Sequence, residues 1–271
     1  MEYIDKNQSS HQAENHRIID EFLHEVQAEK GLYEHFSDPL PDGTIPKRQI
    51  FPLLLQEQDR CCYCMRRLKD SPIHTSIEHV IPQHVSKEDY ERYFTYGAEI
   101  DRRMITHEED YTQGNGKTPP YPHTVAYENF VLSCDGIYPN STSVQSCNSK
   151  RGDEFIPPVS FIRDIHEKLQ YLKNGNVRYT GREDGEIPMV TIIGIDAPIL
   201  RAIRMIWAHL DEHGVDVAKC NRNVIIDTLW TDMMSTLTRE EEEALNLFRE
   251  QKYWDLLGAY DYFSDLDVFT K

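Results

Sequence analysis

The chain has no long apolar run. Its longest uncharged apolar stretch, Ile187 to Ile195, is far shorter than the ~20 residues that cross a bilayer. The opening residues Met-Glu-Tyr-Ile-Asp-Lys lack the apolar centre of a secretory signal, so a cytoplasmic protein without membrane association is expected. Positive charge is also scarce. Across 271 residues, 29 Lys and Arg face 46 Asp and Glu, a formal net charge of -17. Such a balance argues against a surface that grips nucleic acid everywhere, because phosphate binding needs clustered Lys and Arg. There is no internal repeat. The 39% hydrophobic and 28% charged shares are those of an ordinary globular chain and exclude a collagenous or coiled-coil rod. The length suits one large domain or two small ones and buries a core without disulfides.

Six cysteines are present, and three of them, Cys61, Cys62 and Cys64, fall within four positions. Without an export signal, clustered thiols read better as metal ligands than as disulfides. Cys61 and Cys64 form a C-x-x-C pair whose thiolates can take adjacent corners of a zinc tetrahedron from one tight turn. Cys134 and Cys147 can supply the other two corners, although the twelve residues between them are more than a zinc knuckle usually spans. The alternative is a set of small buried apolar thiols, where free cysteine commonly sits. Cys62 is the spare, since C-x-C geometry is cramped, and Cys220 is an ordinary core or helix-surface thiol.

Helical spacing of Ile18, Ile19, Phe22, Leu23 and Val26 after Ser9-Ser10 predicts an N-terminal helix with Gly31 as its stop. Ser37 to Gly43 reads as a turn-rich linker. A second helix is expected to begin at Pro52 and carry Leu53, Leu54 and Leu55 to the cysteine turn. Ile77 to Ile81, stopped by Pro82, and Phe130-Val131-Leu132 read as short strands. Between them, residues 98–126 lack periodicity and read as a loop or insertion. A hairpin turning at Asn174-Gly175 is expected over Leu169 to Thr180, then a buried strand from Met189 to Ile195. Three helices follow, Ile199 to Leu210, Val224 to Leu237 and Glu240 to Leu257; Glu240 to Glu243 suit a helix first turn. Tyr90, Tyr93 and Tyr96 read as packing residues. The class is α+β: an N-terminal helical arm over 1–46, a central cysteine/histidine module over 47–158, and a C-terminal hairpin-plus-helices region over 159–271.

The central module carries a constellation in fixed order. After Cys61 and Cys64 come Glu78-His79-Val80-Ile81-Pro82, then Asn129 followed five residues on by Cys134, and finally Cys147-Asn148-Ser149-Lys150-Arg151-Gly152. From Arg60 to Asp153 this resembles the HNH endonuclease superfamily in its zinc-stapled ββα-metal form. More narrowly, it resembles the HNH nucleases of Septu and retron-associated antiphage systems, with a widened gap between the last two cysteines, a Gln (Gln56 or Gln58) leading into the C-x-x-C, and a trailing hairpin and helices.

The resemblance implies a structural zinc on Cys61, Cys64, Cys134 and Cys147 and a metal-dependent hydrolysis of phosphodiester bonds. His79 is then the general base for the attacking water, suited by a pKa near neutrality. Glu78 and Asn148 are hard oxygen donors for one Mg²⁺ or Mn²⁺, and Asn129 orients the histidine through its amide. Lys150 and Arg151 are expected to touch phosphate. Glu78 stands where Asp is commoner. DNA is the first substrate expected, in antiphage defence; RNA such as tRNA is the second, and a zinc-stapled binding module without activity is the reading from another class. Arg60, Arg66, Arg67 and Lys69 are expected to make the module locally basic within an acidic protein. The acidity elsewhere implies a partner that supplies a positive groove. The resemblance makes that an ABC/SMC-like ATPase, with a retron reverse transcriptase and its DNA as further partners, docked on the helical arm and C-terminal helices.

Overall fold

The computed structural model describes residues 1–26, 31–111, 119–138, 141–215, 227, 230–233, 235–250 and 254–270. Helix α1 (Gln12–Glu25) buries Ile18, Ile19, Phe22 and Leu23 on one face, as their spacing dictates. Gly31 does not end it. It lies at φ 67 as the left-handed residue before a single turn, α2 (Leu32–His35). Helix α3 (Pro46–Glu57) starts six residues before the expected Pro52. Pro46 occupies the first turn, where a missing N–H costs nothing, and Ile50 and Leu54 bury one face one turn apart. Pro52 is tolerated inside the helix because both it and Arg48, four residues back, are exposed.

Strand β1 (Thr75–His79) follows, then α4 (Lys87–Tyr93), capped by Ser86, whose hydroxyl accepts from the Asp89 N–H. Tyr90, Tyr93 and Tyr96 are buried, which fits their role in packing. The segment read as a loop holds a short parallel pair, β2 (Ile105–Thr106) with β3 (Tyr121–Pro122); residues 112–118 of it lie outside the described residues. Strand β4 (Phe130–Cys134) pairs antiparallel with β1, from Thr75 opposite Cys134 to His79 opposite Phe130. The hairpin β5 (Ile137–Tyr138) and β6 (Ser141–Gln145) fills the wide gap before Cys147. One turn of helix, α5 (Asn148–Arg151), closes this part.

After α6 (Ile165–Lys168), the hairpin expected at Asn174-Gly175 is present as β7 (Leu169–Leu172) and β8 (Val177–Tyr179). Met189 to Ile195 is not a strand. Pro188 starts a helical turn, α7 (Met189–Ile192), which Gly194 ends at φ 66. Helix α8 (Pro198–Glu212) is nearly encased and packs against α9 (Arg239–Glu250). A reciprocal pair of bonds between Thr238 and Glu241 starts α9, the capping-box arrangement. The chain ends in α10 (Trp254–Leu257), a 3-10 segment Gly258–Ser264, and β9 (Phe269–Thr270), a parallel third strand on β7 that local pattern did not announce. Cys220 and, within the helix expected over Val224 to Leu237, residues 224–226, 228–229 and 234 lie outside the described residues. Buried apolar residues from all three stretches of the chain form one continuous cluster. Among the described residues no helix is long and apolar enough to cross a membrane.

Candidate functional site

Four sulfurs meet at one end of the β1–β4 ribbon. Cys61 Sγ lies 3.6 Å from Cys147 Sγ, Cys64 Sγ 3.6 Å from Cys134 Sγ, and Cys134 Sγ 3.7 Å from Cys147 Sγ. All four are buried and lie within 4.8 Å of one another. The edge of a sulfur tetrahedron around zinc is about 3.8 Å for bonds of about 2.3 Å, so the four cysteines are positioned to bind a metal ion and fit structural zinc.

Local sequence builds this cluster. Residues 60–67 fold as a tight turn: the Cys61 N–H donates to the Arg66 carbonyl and the Met65 N–H to the Cys61 carbonyl. Met65 takes φ 64, a left-handed conformation unusual for a side-chain-bearing residue. Cys134 and Cys147 are drawn together because Gly136, at φ 62, lets its backbone approach Ser146; a Cβ there would sit 1.9 Å from the Ser146 carbonyl oxygen. Gln58, of the two glutamines named above, grips β4: its amide donates to the Leu132 carbonyl at 2.6 Å and accepts from the Leu132 N–H at 2.8 Å.

Ser146, next to Cys147, and two residues remote in sequence, Ile193 and Tyr260, complete the surroundings of the sulfurs. The Cys147 N–H donates to the Ile193 carbonyl at 2.7 Å, so the unexpected α7 turn supports a ligand. Tyr260 OH lies 3.8 Å from Cys64 Sγ and Ser146 Oγ 3.4 Å from Cys147 Sγ, in the manner of groups that orient metal ligands. Cys62 is outside the set, and burial pushes its thiol well up.

At the ribbon's other end, Ile77, Glu78, His79, Pro82, Gln83 and Asn148 line a cleft of about 130 Å³ together with Gly152 and Asp153. Thus Glu78, His79 and Asn148 come together. His79 is buried, its ring held edge-on by Tyr33 at 4.4 Å and Phe130 at 5.2 Å. Its Nε2–H donates to the Thr124 carbonyl at 2.8 Å, and a carbonyl can only accept, which fixes the tautomer and leaves the lone pair on Nδ1. The Gln83 amide is 3.4 Å from that nitrogen. Burial pushes the imidazole down to about 3, so it is neutral at pH 7. Asn148 donates to Ser76 Oγ at 3.2 Å, and its backbone N–H to Ser133 Oγ at 3.4 Å.

Three placements differ from expectation. Asn129 does not reach His79. Its side chain staples backbone instead, accepting from the Ile81 N–H at 2.7 Å and donating to the Ile81 and His123 carbonyls at 2.8 Å each. Arg151 does not face solvent. It is buried, with Nη1 at 2.6 Å from Glu78 Oε1 and 2.7 Å from Tyr63 OH. Lys150 is exposed and does not line the cleft. Glu78 is itself buried, and desolvation raises its carboxyl against the opposing pull of Arg151.

The basic stretch of the cysteine turn is neutralised as well. Arg60 and Arg67 both pair with Asp261, each at 2.7 Å, Arg67 also reaches Asp59, and Arg66 pairs with Asp135 at 3.1 Å. Sequence reasoning missed Tyr63, Thr124, Gln83 and Asp153. Tyr63 inside the C-x-x-C pair, Gln83 next to Pro82 and Asp153 next to Gly152 adjoin the motifs, whereas Thr124 has no local signal. A comparison with family models, with curated proteins and with solved structures finds no match for this chain.

Proposed function

We propose that the chain is a metal-dependent HNH endonuclease that hydrolyses phosphodiester bonds of nucleic acid, DNA in the first place, in bacterial antiphage defence. The observation that carries this reading is the convergence of Glu78, His79 and Asn148 on one cleft beside a four-cysteine cluster. The β1–β4 pair and, beyond the β5–β6 hairpin, the helical turn α5 hold all three. His79 is the last residue of its strand, and both it and Glu78 line the cleft.

A divalent cation held by Glu78 and Asn148 would supply charge neutralisation at the phosphate. The rest is done by the chain. His79, fixed through Nε2 by Thr124, offers Nδ1 to take a proton from the attacking water, and an anionic phosphate beside the ring raises its basicity from the buried value. Asn129 keeps the loop after His79 tied to the β4 side, so the imidazole and the carboxylate hold their spacing. The neutralised arginines leave little free positive charge at the cysteine turn. That supports dependence on a partner with a positive groove, an ABC/SMC-like ATPase in this reading.

The test incubates the zinc-loaded chain, alone and with its co-purified partner, with plasmid DNA and with tRNA in Mg²⁺ or Mn²⁺. Wild type is expected to cut and His79→Ala to be at least about 100-fold slower. Equal rates for the two proteins overturn the reading. Cleavage of tRNA alone moves the substrate to RNA.

A further inference from the structure

Arg151 is fully buried, yet among the described residues it pairs with only one carboxylate, that of Glu78. The guanidinium also faces backbone: Nη1, whose two N–H groups are shared among Glu78, Tyr63 and His79, lies 2.7 Å from the His79 carbonyl, Nη2 2.8 Å from the Val80 carbonyl, and Nε 3.3 Å from the Glu154 carbonyl. Tyr63 closes the arrangement, accepting from Arg151 and donating to Glu78 Oε1 at 2.9 Å. Both bonds to the carboxylate therefore fall on Oε1. Among the described residues no hydrogen bond falls on Oε2, and Glu78 lines the cleft.

We propose that Arg151 is a positioning residue for cation binding: with Tyr63 it pins Glu78 through Oε1 and presents Oε2 to the cleft as the ligand for a divalent ion. A carboxylate in a buried strand has two oxygens and free rotation about its last bond. A planar guanidinium and a phenol on one oxygen remove that freedom. The same guanidinium holds the carbonyls of His79 and Val80, so one side chain sets the carboxylate and the backbone that carries the imidazole. This role replaces the phosphate contact expected of Arg151 from its type. It rests on the reading of Glu78 as a cation ligand.

The test is direct Mn²⁺ binding to the zinc-loaded full chain, followed by the loss of the free-ion electron paramagnetic resonance signal, for wild type, Glu78→Gln, Arg151→Lys and Tyr63→Phe. Zinc content and Tm are measured on each. Glu78→Gln is expected to abolish binding in the cleft. Arg151→Lys is expected to weaken it about tenfold, and Tyr63→Phe by a smaller factor with zinc content and Tm unchanged. If Arg151→Lys loses its zinc and does not fold, Tyr63→Phe decides. Wild-type affinity in both Arg151→Lys and Tyr63→Phe, with binding lost in Glu78→Gln, overturns the positioning role and leaves the nuclease reading standing. Absence of binding in wild type, or unchanged binding in Glu78→Gln, overturns Glu78 as a ligand and both readings with it.

Discussion

The two ends of the β1–β4 ribbon share a backbone and differ in how their polar atoms are used. Around the sulfurs, Tyr260, Ser146 and the Ile193 carbonyl close the surroundings from three separate parts of the chain. At the His79 end, Glu78 and His79 line a cleft: Oε1 and Nε2 are tied down by Arg151, Tyr63 and Thr124, while Nδ1 has only the long contact with the Gln83 amide and Oε2 has no hydrogen bond among the described residues. Enclosure makes the first end a clamp on the fold. Half-satisfied groups on a rigid frame are what the proposed chemistry at the second end requires. A closed ligand set and an open one are also what separate structural from catalytic metal sites.

The largest effect should come from breaking the clamp. Cys61→Ser is expected to lose stoichiometric zinc and the cooperative melt, because structural zinc contributes about 10–16 kcal/mol in small zinc domains; metal analysis and calorimetry check it. Breaking the open end should do the reverse. His79→Ala is expected to keep its zinc and to melt as a folded protein while losing at least about 100-fold in cleavage rate. A variant that lost both together would erase the distinction between the ends.

Acidity probes the buried histidines beside the cleft. Burial pushes His123 down to about 4, below the ordinary 6.5, so the folded state resists its protonation. The stability it contributes is complete above pH 6.5 and is lost as the pH falls toward 4, at up to about 1.4 kcal/mol per pH unit. Denaturant unfolding of His123→Gln should show a shallower loss over that window. The smallest effect concerns the charge balance. Asp261→Asn frees Arg60 and leaves Arg67 with Asp59 alone, at a stability cost within about 1 kcal/mol, since the pairs are partly solvated. It should raise non-specific DNA affinity and steepen its salt dependence, read by fluorescence anisotropy.

What the sequence disclosed follows the range of the interactions involved. The hairpin at Asn174-Gly175 and the buried face of α1 are local patterns, and they stand where expected. The four cysteines were legible because residue type and pairing survive a long gap; the β5–β6 hairpin explains the gap itself. The helix expected from Pro52 starts at Pro46, because its packed face includes Ile50, upstream of that proline, as well as Leu54. The α7 turn defeated a β-branched run because Pro188 and Gly194 bracket it. Residues joined across the chain were hidden: Asp261 on Arg60 and Arg67, Thr124 on His79, and β9 on β7. Arg151 was misread for another reason, since an arginine in a basic motif is ordinarily exposed, and only the fold shows Glu78 opposite it.

The most direct test of a closed metal centre and an open cleft on one ribbon is anomalous diffraction from a crystal of the zinc-loaded protein soaked in Mn²⁺, recorded at the zinc and manganese edges. The account predicts a zinc peak amid the sulfurs of Cys61, Cys64, Cys134 and Cys147, and a manganese peak beside Glu78 and Asn148 on the side of His79. No zinc among the sulfurs, or manganese bound only away from that cleft, would contradict it.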